Sequence, residues 1–291
     1  MSEYPYWIVD VFCAAAFGGN PLAVIPAAEG LSSEQMQHIA REFNFSETTF
    51  VLPPANPENT AHFRIFTPSR ELPFAGHPTL GTAWVIGQEQ ALPRPAELRL
   101  EAGVGLLKVR LEADAARFQV ALQPKFSALE TAIADLARLL GLSEQDIAAQ
   151  PVIASCGLPF ALVPLTGLDA IGRARLSLPL DDPLFSDWPV LKELYLYCHQ
   201  TVSAEPDLHT RMFAPGAGVA EDPATGSAAS ALAAWLASRQ PDGCYELEIE
   251  QGIEMGRPSR IKTRVEKRDE QLQVFVSGQV RPFSRGVLWI H

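Results

Sequence analysis

Cysteine is scarce and scattered. Four residues in 291, Cys13, Cys156, Cys198 and Cys244, stand far apart, with no Cys-x-x-Cys spacing. This argues against a zinc ribbon, a disulfide framework and a dithiol redox pair, and points to a reducing compartment with each thiol as core filler. Positive charge is also short. Lys and Arg number 23 against 34 Asp and Glu, for a formal net charge of −11. A nucleic-acid binder needs a basic face, so nucleic acid and anionic membranes are poor partners; a local anion site is still compatible with the balance. No apolar run approaches the ~18 residues of a membrane span. The chain starts Met-Ser-Glu without a basic stretch, and Asp10 interrupts the apolar run ahead of Ala14-Ala15-Ala16, so a signal peptide is not expected and the cytoplasm is the expected location. Gly-x-Ser-x-Gly, P-loop, His-Glu-x-x-His and Gly-x-Gly-x-x-Gly motifs are all missing, so neither a metal nor a nucleotide cofactor is expected.

What the chain does have is a recurrence. Pro-x-x-Gly-(Thr/Ser)-Ala occurs at Pro78 and at Pro223, 145 positions apart (223 − 78) in a chain of 291. Each copy leads into small and apolar residues and a Trp, Trp84 or Trp235. A Gly/Pro turn feeding a small-residue helix suits an anion, because the first N–H groups of a helix lack internal partners and its dipole favours negative charge there. Two such cradles, one per half, are expected to face each other across a cleft.

The rest of the pattern is mixed. Tyr4 to Phe12, Leu22 to Ile25 and 61–67 read as strands, the last with Ala61, Phe63 and Ile65 on one face and His62 and Arg64 on the other. Ser32-x-x-Gln35 is a capping box ahead of Met36, Ile39, Ala40 and Phe43 at helical spacing, so 32–43 is an amphipathic helix that exits through Asn44 to Ser46 into a strand with Glu47 at the junction. A helix is expected from about Thr79 to Gly87, a hairpin around Gly103 and Gly105, and a strand from Phe118 to Leu122. Ser127-x-x-Glu130 reads as the cap of a second amphipathic helix ending at Gly141, and the Pro-rich 179–189 as an irregular loop. Thr225 to Ser238 is apolar nearly all round, which predicts a buried helix. Ser259 to Glu266, Leu272 to Val280 and Val287 to Ile290 are the last expected strands. Helices and strands do not alternate one for one, so a doubly wound sheet is not expected. The fold class is α+β, with two halves, each a curved sheet wrapped around one apolar helix.

Three side chains could carry proton chemistry. Glu47 has apolar and Thr neighbours, and desolvation there would raise a carboxylate toward the range of a general acid/base. His77, in the first glycine turn, can hold substrate or trade a proton near neutral pH. Asp222, in the second, either complements the following helix or meets a substrate cation. Gly76 and Gly226 allow close backbone approach, and Ser227 follows in the first helical turn.

Taken together, Phe17-Gly18-Gly19-Asn20-Pro21-Leu22-Ala23-Val24, Phe45-Ser46-Glu47-Thr48-Thr49-Phe50-Val51, Phe66-Thr67-Pro68, Glu71-Leu72-Pro73-Phe74-Ala75-Gly76-His77-Pro78, Glu221-Asp222-Pro223-Ala224-Thr225-Gly226-Ser227-Ala228 and Gln251-Gly252-Ile253-Glu254-Met255-Gly256-Arg257-Pro258-Ser259 resemble the PhzF-type, phenazine-biosynthesis-like isomerases, from near residue 4 to near residue 280. The resemblance implies a diaminopimelate-epimerase-like fold of two pseudo-symmetric halves, a homodimer and no cofactor. The halves are expected at 1–117, with 279–291 returning to it, and at 118–278. It implies Glu47 as the acid/base, His77 and Asp222 as assisting groups that contact substrate, and Ser46, Gly76, Gly226 and Ser227 as binding residues for a small carboxylate. The expected reaction is a cofactor-independent proton shift on a small amino or hydroxy carboxylic acid. Epimerase relatives use two thiols, and neither glycine turn here holds a cysteine, which speaks against a two-thiol racemase; with one carboxylate, Glu47, at the expected position, a shift of a double bond is favoured over epimerisation. The alternatives are an amino-acid racemase or epimerase, and a non-catalytic metabolite-binding or interaction protein on the same fold.

Overall fold

A helix with no polar face has nothing to offer water and must be enclosed on all sides. Two helices of this chain are of that kind, and the strands are arranged around them. The computed structural model describes residues 2–290. In chain order the elements are β1 (Ser2–Val11), β2 (Asn20–Ile25), α1 (Ser33–Phe43), β3 (Glu47–Leu52), β4 (Ala61–Phe66), β5 (Glu71–Leu72), α2 (Gly76–Glu89), β6 (Ala96–Ala102), β7 (Gly105–Leu111) and β8 (Ala115–Gln119). There follow β9 (Lys125–Ala128), α3 (Ile133–Leu140), β10 (Val152–Ser155), β11 (Pro159–Pro164), α4 (Leu168–Arg173), α5 (Pro183–Asp187), β12 (Leu194–Cys198), β13 (Leu208–Ala214), β14 (Val219–Asp222), α6 (Gly226–Ser238), β15 (Gly243–Gln251), β16 (Ser259–Arg268) and β17 (Gln271–Ile290). Among the described residues two compact units result, one of residues 2–119 with 276–290, the other of residues 120–275.

In the first unit eight strands close on themselves. β1 pairs with β2, β2 with β3, β3 with β4, β4 with β6, β6 with β7, β7 with β8, β8 with β17, and β17 returns to β1. Inside runs α2, buried from Gly76 to Gly87. The fit is tight: a Cβ on Gly81 would lie 2.6 Å from Leu22 Cδ2 and 2.8 Å from Val11 Cγ2. Outside, α1 covers β3 through Met36, Ile39, Ala40 and Phe50.

The second unit repeats the plan. The parallel, antiparallel, parallel, antiparallel succession β2–β3, β3–β4, β4–β6, β6–β7 recurs as β11–β12, β12–β13, β13–β15, β15–β16. Short β5 and β14 occupy the same place beside β4 and β13. α6 takes the position of α2, with Ala228 to Ala234 buried. The α+β class with two pseudo-symmetric halves is what the sequence leads one to expect.

Several local expectations need correction. α2 starts at Gly76, not Thr79, because Pro78 lies in its first turn, where a missing N–H breaks no helical bond. Ser127 does not cap a helix: it pairs with Ile153 in the β9–β10 ladder, and α3 starts at Ile133. The strands expected at 272–280 and 287–290 are one strand, β17, since β1 offers it a ten-residue partner and a register shift at Ile8/Val9, opposite Pro282, absorbs the missing donor. The strand expected at 118–122 is β8, three residues earlier at its start. The 179–189 stretch contains α5, started by the Asp182 side chain accepting from Leu184 N. Cys244 is exposed and fills no core, whereas Cys13, Cys156 and Cys198 are buried.

Candidate active site

Glu47 is placed by how α1 stops. Asn44 takes the left-handed conformation at the helix C-cap (φ 53°), and three residues later β3 begins on Glu47. Strand alternation puts Glu47 and Thr49 on one side of β3. Thr49 Oγ1 lies 2.8 Å from Thr82 Oγ1 on α2, so that side faces the central helix. Five residues before Thr82, in the first turn of α2, is His77, with Nε2 3.5 Å from Glu47 Oε2. Both side chains are enclosed, His77 at 6% and Glu47 at 15% exposure. Burial pushes the His77 imidazole down to about 3. A neighbouring carboxylate favours the cation, but 3.5 Å is long for a charge-assisted bond and full desolvation dominates, leaving a neutral imidazole beside a carboxyl group.

Helix α1 is capped by Ser32 and Gln35 in a reciprocal pair. Neither α2 nor α6 is: both have no side-chain cap and no acidic residue in the first turn. Each therefore presents first-turn N–H groups and the positive end of its dipole, at Gly76 and His77 in one unit and at Gly226 and Ser227 in the other. In α6 the N-cap residue is Thr225, whose hydroxyl donates to the Asp222 carboxylate rather than accepting from the helix. Ser46 is half-buried in the link before β3, and Asp222 and Ser227 are half-buried. The structure thus joins Glu47 with His77 within the first unit, and Asp222 with Thr225 within the second.

The recurrence read at Pro78 and Pro223 is out of register. The helices start at Gly76 and Gly226, so the true repeat is Glu71-x-Pro73-x-x-Gly76 and Glu221-x-Pro223-x-x-Gly226, offset by 150 (226 − 76). Upstream, His62-x-Arg64-x-Phe66 on β4 recurs as His209-x-Arg211-x-Phe213 on β13, offset by 147 (209 − 62). The repeated residues do the same work. Arg64 holds Glu71 by two bonds of 2.7 and 2.6 Å, and Arg211 holds Glu221 by two of 2.8 and 2.9 Å. Glu101 accepts from Ala55 N and Asn56 N, and Glu250, its equivalent, from Val202 N and Ser203 N. The two Arg–Glu pairs tie the residues just ahead of each glycine turn to β4 and β13. Reading the sequence missed them, although the His-x-Arg-x-Phe spacing was there to find. It also missed Thr225 and Gln251, which surround Asp222.

The profile of the "Phenazine biosynthesis-like protein" family matches residues 9–286. The chain belongs to that family. It is 40% identical over 274 residues to an uncharacterized isomerase of Mesorhizobium japonicum, covering 90% of each chain. It is 39% identical to the trans-2,3-dihydro-3-hydroxyanthranilate isomerase of Pseudomonas chlororaphis, covering 97% of this chain and 98% of that one. Among solved structures, the phenazine biosynthesis protein of the PhzF family from Bacillus anthracis superposes with a TM-score of 0.90 at 27% identity over the full length of both chains. A probable proline racemase from Agrobacterium radiobacter K84 shares the fold alone, with a TM-score of 0.65 at 13% identity. Kinship with named isomerases over nearly the whole chain makes this member an isomerase. Among the described residues, no helix is long and apolar enough to cross a membrane.

Proposed function

We propose that this isomerase moves a proton between two carbons of a small amino carboxylic acid, with Glu47 as the acid/base. The observation that carries the reading is the enclosed Glu47–His77 pair at the uncapped start of α2. The Glu47 carboxylate takes the proton from a carbon acidified by a neighbouring unsaturated or carboxyl group. The electron pair moves along the π system, and the same carboxyl group returns the proton at its far end. One carboxyl and one proton give a shifted double bond with no net change of oxidation state. Neutral His77 hydrogen-bonds to the reacting region without adding a competing positive charge. In the first unit the N–H groups that open α2 at Gly76, with Ser46, are the binding contacts beside Glu47; in the second, the N–H groups that open α6 at Gly226 and Ser227 suit a carboxylate, and Asp222 suits an ammonium group.

Buried thiols support a shift over a two-thiol epimerisation: burial pushes Cys13 up to about 11 and Cys156 up to about 12, so both stay protonated. An exposed apolar row on β17, Phe283, Val287 and Trp289, supports the homodimer that family resemblance suggests. The substrates worth testing first are trans-2,3-dihydro-3-hydroxyanthranilate, on which the Pseudomonas relatives are named, and cyclic amino acids of similar size. The assay follows the absorbance change of the migrating double bond in ordinary and heavy water. The expected result is turnover, with part of the substrate's own hydrogen kept in the product. A binding protein without catalysis would show saturable binding and no turnover across the same set, and that outcome would remove the reading.

A further inference from the structure

The repeat supplies an internal control for the polar groups around Asp222. The pairings His62↔Glu101 and His209↔Glu250 make Ala102 the counterpart of Gln251 and Gly103 that of Gly252. The offset of 150 makes Leu72 the counterpart of Asp222 and Ala75 that of Thr225. Thr48↔Phe66 and Leu194↔Phe213 make Thr49 the counterpart of Tyr195. Both halves press the same glycine against the same proline. A Cβ on Gly103 would lie 2.8 Å from Pro73 Cα, and one on Gly252 would lie 2.5 Å from Pro223 O. The first half builds its turn with Leu72, Ala75 and Ala102, so the bend itself needs neither an amide nor a hydroxyl at these places. The second half adds both, and it does so where it also carries Asp222.

The Gln251 side chain is fully buried and every one of its hydrogen-bonding sites is used. Nε2 donates to Asp222 O at 2.7 Å and to Thr225 Oγ1 at 3.1 Å. Oε1 accepts from Thr225 N at 3.2 Å and lies 3.1 Å from the Tyr195 hydroxyl. The amide can be seated only one way, since a carbonyl oxygen stands on one side and an N–H on the other. That orientation has a consequence for Thr225. Its hydroxyl accepts from Gln251 Nε2, an atom that cannot accept in return, so its single proton goes to Asp222 Oδ2.

We propose that Gln251 and Thr225 are positioning residues: Gln251 sets the Thr225 hydroxyl, and Thr225 holds the Asp222 carboxylate toward the substrate. This rests on the reading of Asp222 as a substrate contact. The test compares T225A, Q251A, T225S and D222N with the wild type by crystal structure, urea unfolding and separate kcat and KM on trans-2,3-dihydro-3-hydroxyanthranilate. T225A and Q251A give this half the residues of the other, so both should fold, Q251A with the larger loss of stability because Asp222 O and Thr225 N lose a buried partner. The Asp222 carboxylate should leave its position in both, and kcat/KM should fall about 10²-fold, the scale of an ångström-sized misplacement. T225S, which keeps the hydroxyl, should recover most of the loss. An Asp222 side chain unmoved in Q251A overturns the proposal, as does unchanged kcat/KM with a moved carboxylate, or a T225S variant as slow as T225A. Full turnover by D222N would sink the reading of Asp222 itself, and the proposal with it, whatever T225A and Q251A do. If the wild type does not turn over this acid, the crystallographic position of Asp222 decides alone.

Discussion

His77 Nε2 and Glu47 Oε2 stand 3.5 Å apart across the gap between a strand's first residue and a helix's first turn. A mostly buried carboxyl group beside a neutral imidazole has the low exposure that favours returning the proton it took before solvent replaces it. Replacing Glu47 by Gln keeps the shape and removes the proposed base. A positioned general base contributes ~10²–10⁴-fold, so E47Q should lose at least about 10²-fold in kcat with unfolding unchanged. The measurement is turnover and urea denaturation on one preparation. An E47Q enzyme with wild-type kcat would take the central role away from Glu47.

The state of His77 has a separate signature in stability. Its folded value is down at about 3 against an ordinary 6.5, so between these limits the unfolded chain binds the proton and the folded chain does not. Stability is therefore full above pH 6.5 and is lost as the pH falls toward 3. At pH 4.5 the penalty is on the order of 2–3 kcal/mol. H77Q carries no such penalty, so relative to the wild type it should gain stability between pH 7.5 and pH 4.5 in urea unfolding. A wild-type-to-H77Q difference that is the same at both values would show that the imidazole is not held neutral.

Much of this was open to a reader of the sequence. The apolar run from Thr225 to Ser238 announces a buried helix, the capping box at Ser32 and Gln35 fixes the start of α1, and Asn44 to Glu47 marks the passage into β3. What was hidden depended on partners distant in sequence. Ser127 carries a good local cap signal, yet β10 offers it a ladder, and strand pairing prevails. Pro282 and Gly286 look like breaks until β1 is set beside them. The glycine turns were visible as chemistry, but their register was not. That register is marked by Arg64–Glu71 and Arg211–Glu221, pairs 7 and 10 residues apart, outside the window in which turn signals are read. Gln251 lies 26 residues from Thr225, and only the folded chain shows that they meet.

The buried histidine of the second half should titrate in the opposite sense from His77. His209 Nδ1 lies 2.8 Å from Glu250 Oε1 and Nε2 lies 2.9 Å from Glu254 Oε1. Burial by itself would lower its pKa, but the two carboxylates outweigh burial and raise it. A raised folded value means the contribution to stability is complete below the ordinary 6.5 and is lost as the pH rises through the folded value. H209Q leaves Glu250 buried without its cation, which costs about 3–5 kcal/mol for a broken buried pair. Urea unfolding should show this loss at pH 6 and a smaller one at pH 9. An equal loss at both would mean that His209 is neutral in the folded protein.

Gly252 is where backbone and site meet. Its φ of +76° is a conformation that L side chains rarely adopt, and an added Cβ would lie 2.5 Å from Pro223 O and 2.6 Å from Arg257 O. Those neighbours are backbone atoms with no rotamer to yield, so G252A must move the 223 turn, the 257 loop or both. Strain of this kind is worth about 1–3 kcal/mol, and the moved turn is the one that carries Asp222. Gly103 makes the equivalent contact, 2.8 Å to Pro73 Cα, but has no positive φ in this structure, so G103A lacks the conformational part of the penalty. G252A should therefore be the less stable of the two by urea unfolding, and where it remains folded its kcat/KM should fall with the displacement of Asp222. If G252A matched G103A in stability, the neighbouring backbone would be yielding freely, and the turn at 223 would not be the fixed frame that Asp222 requires.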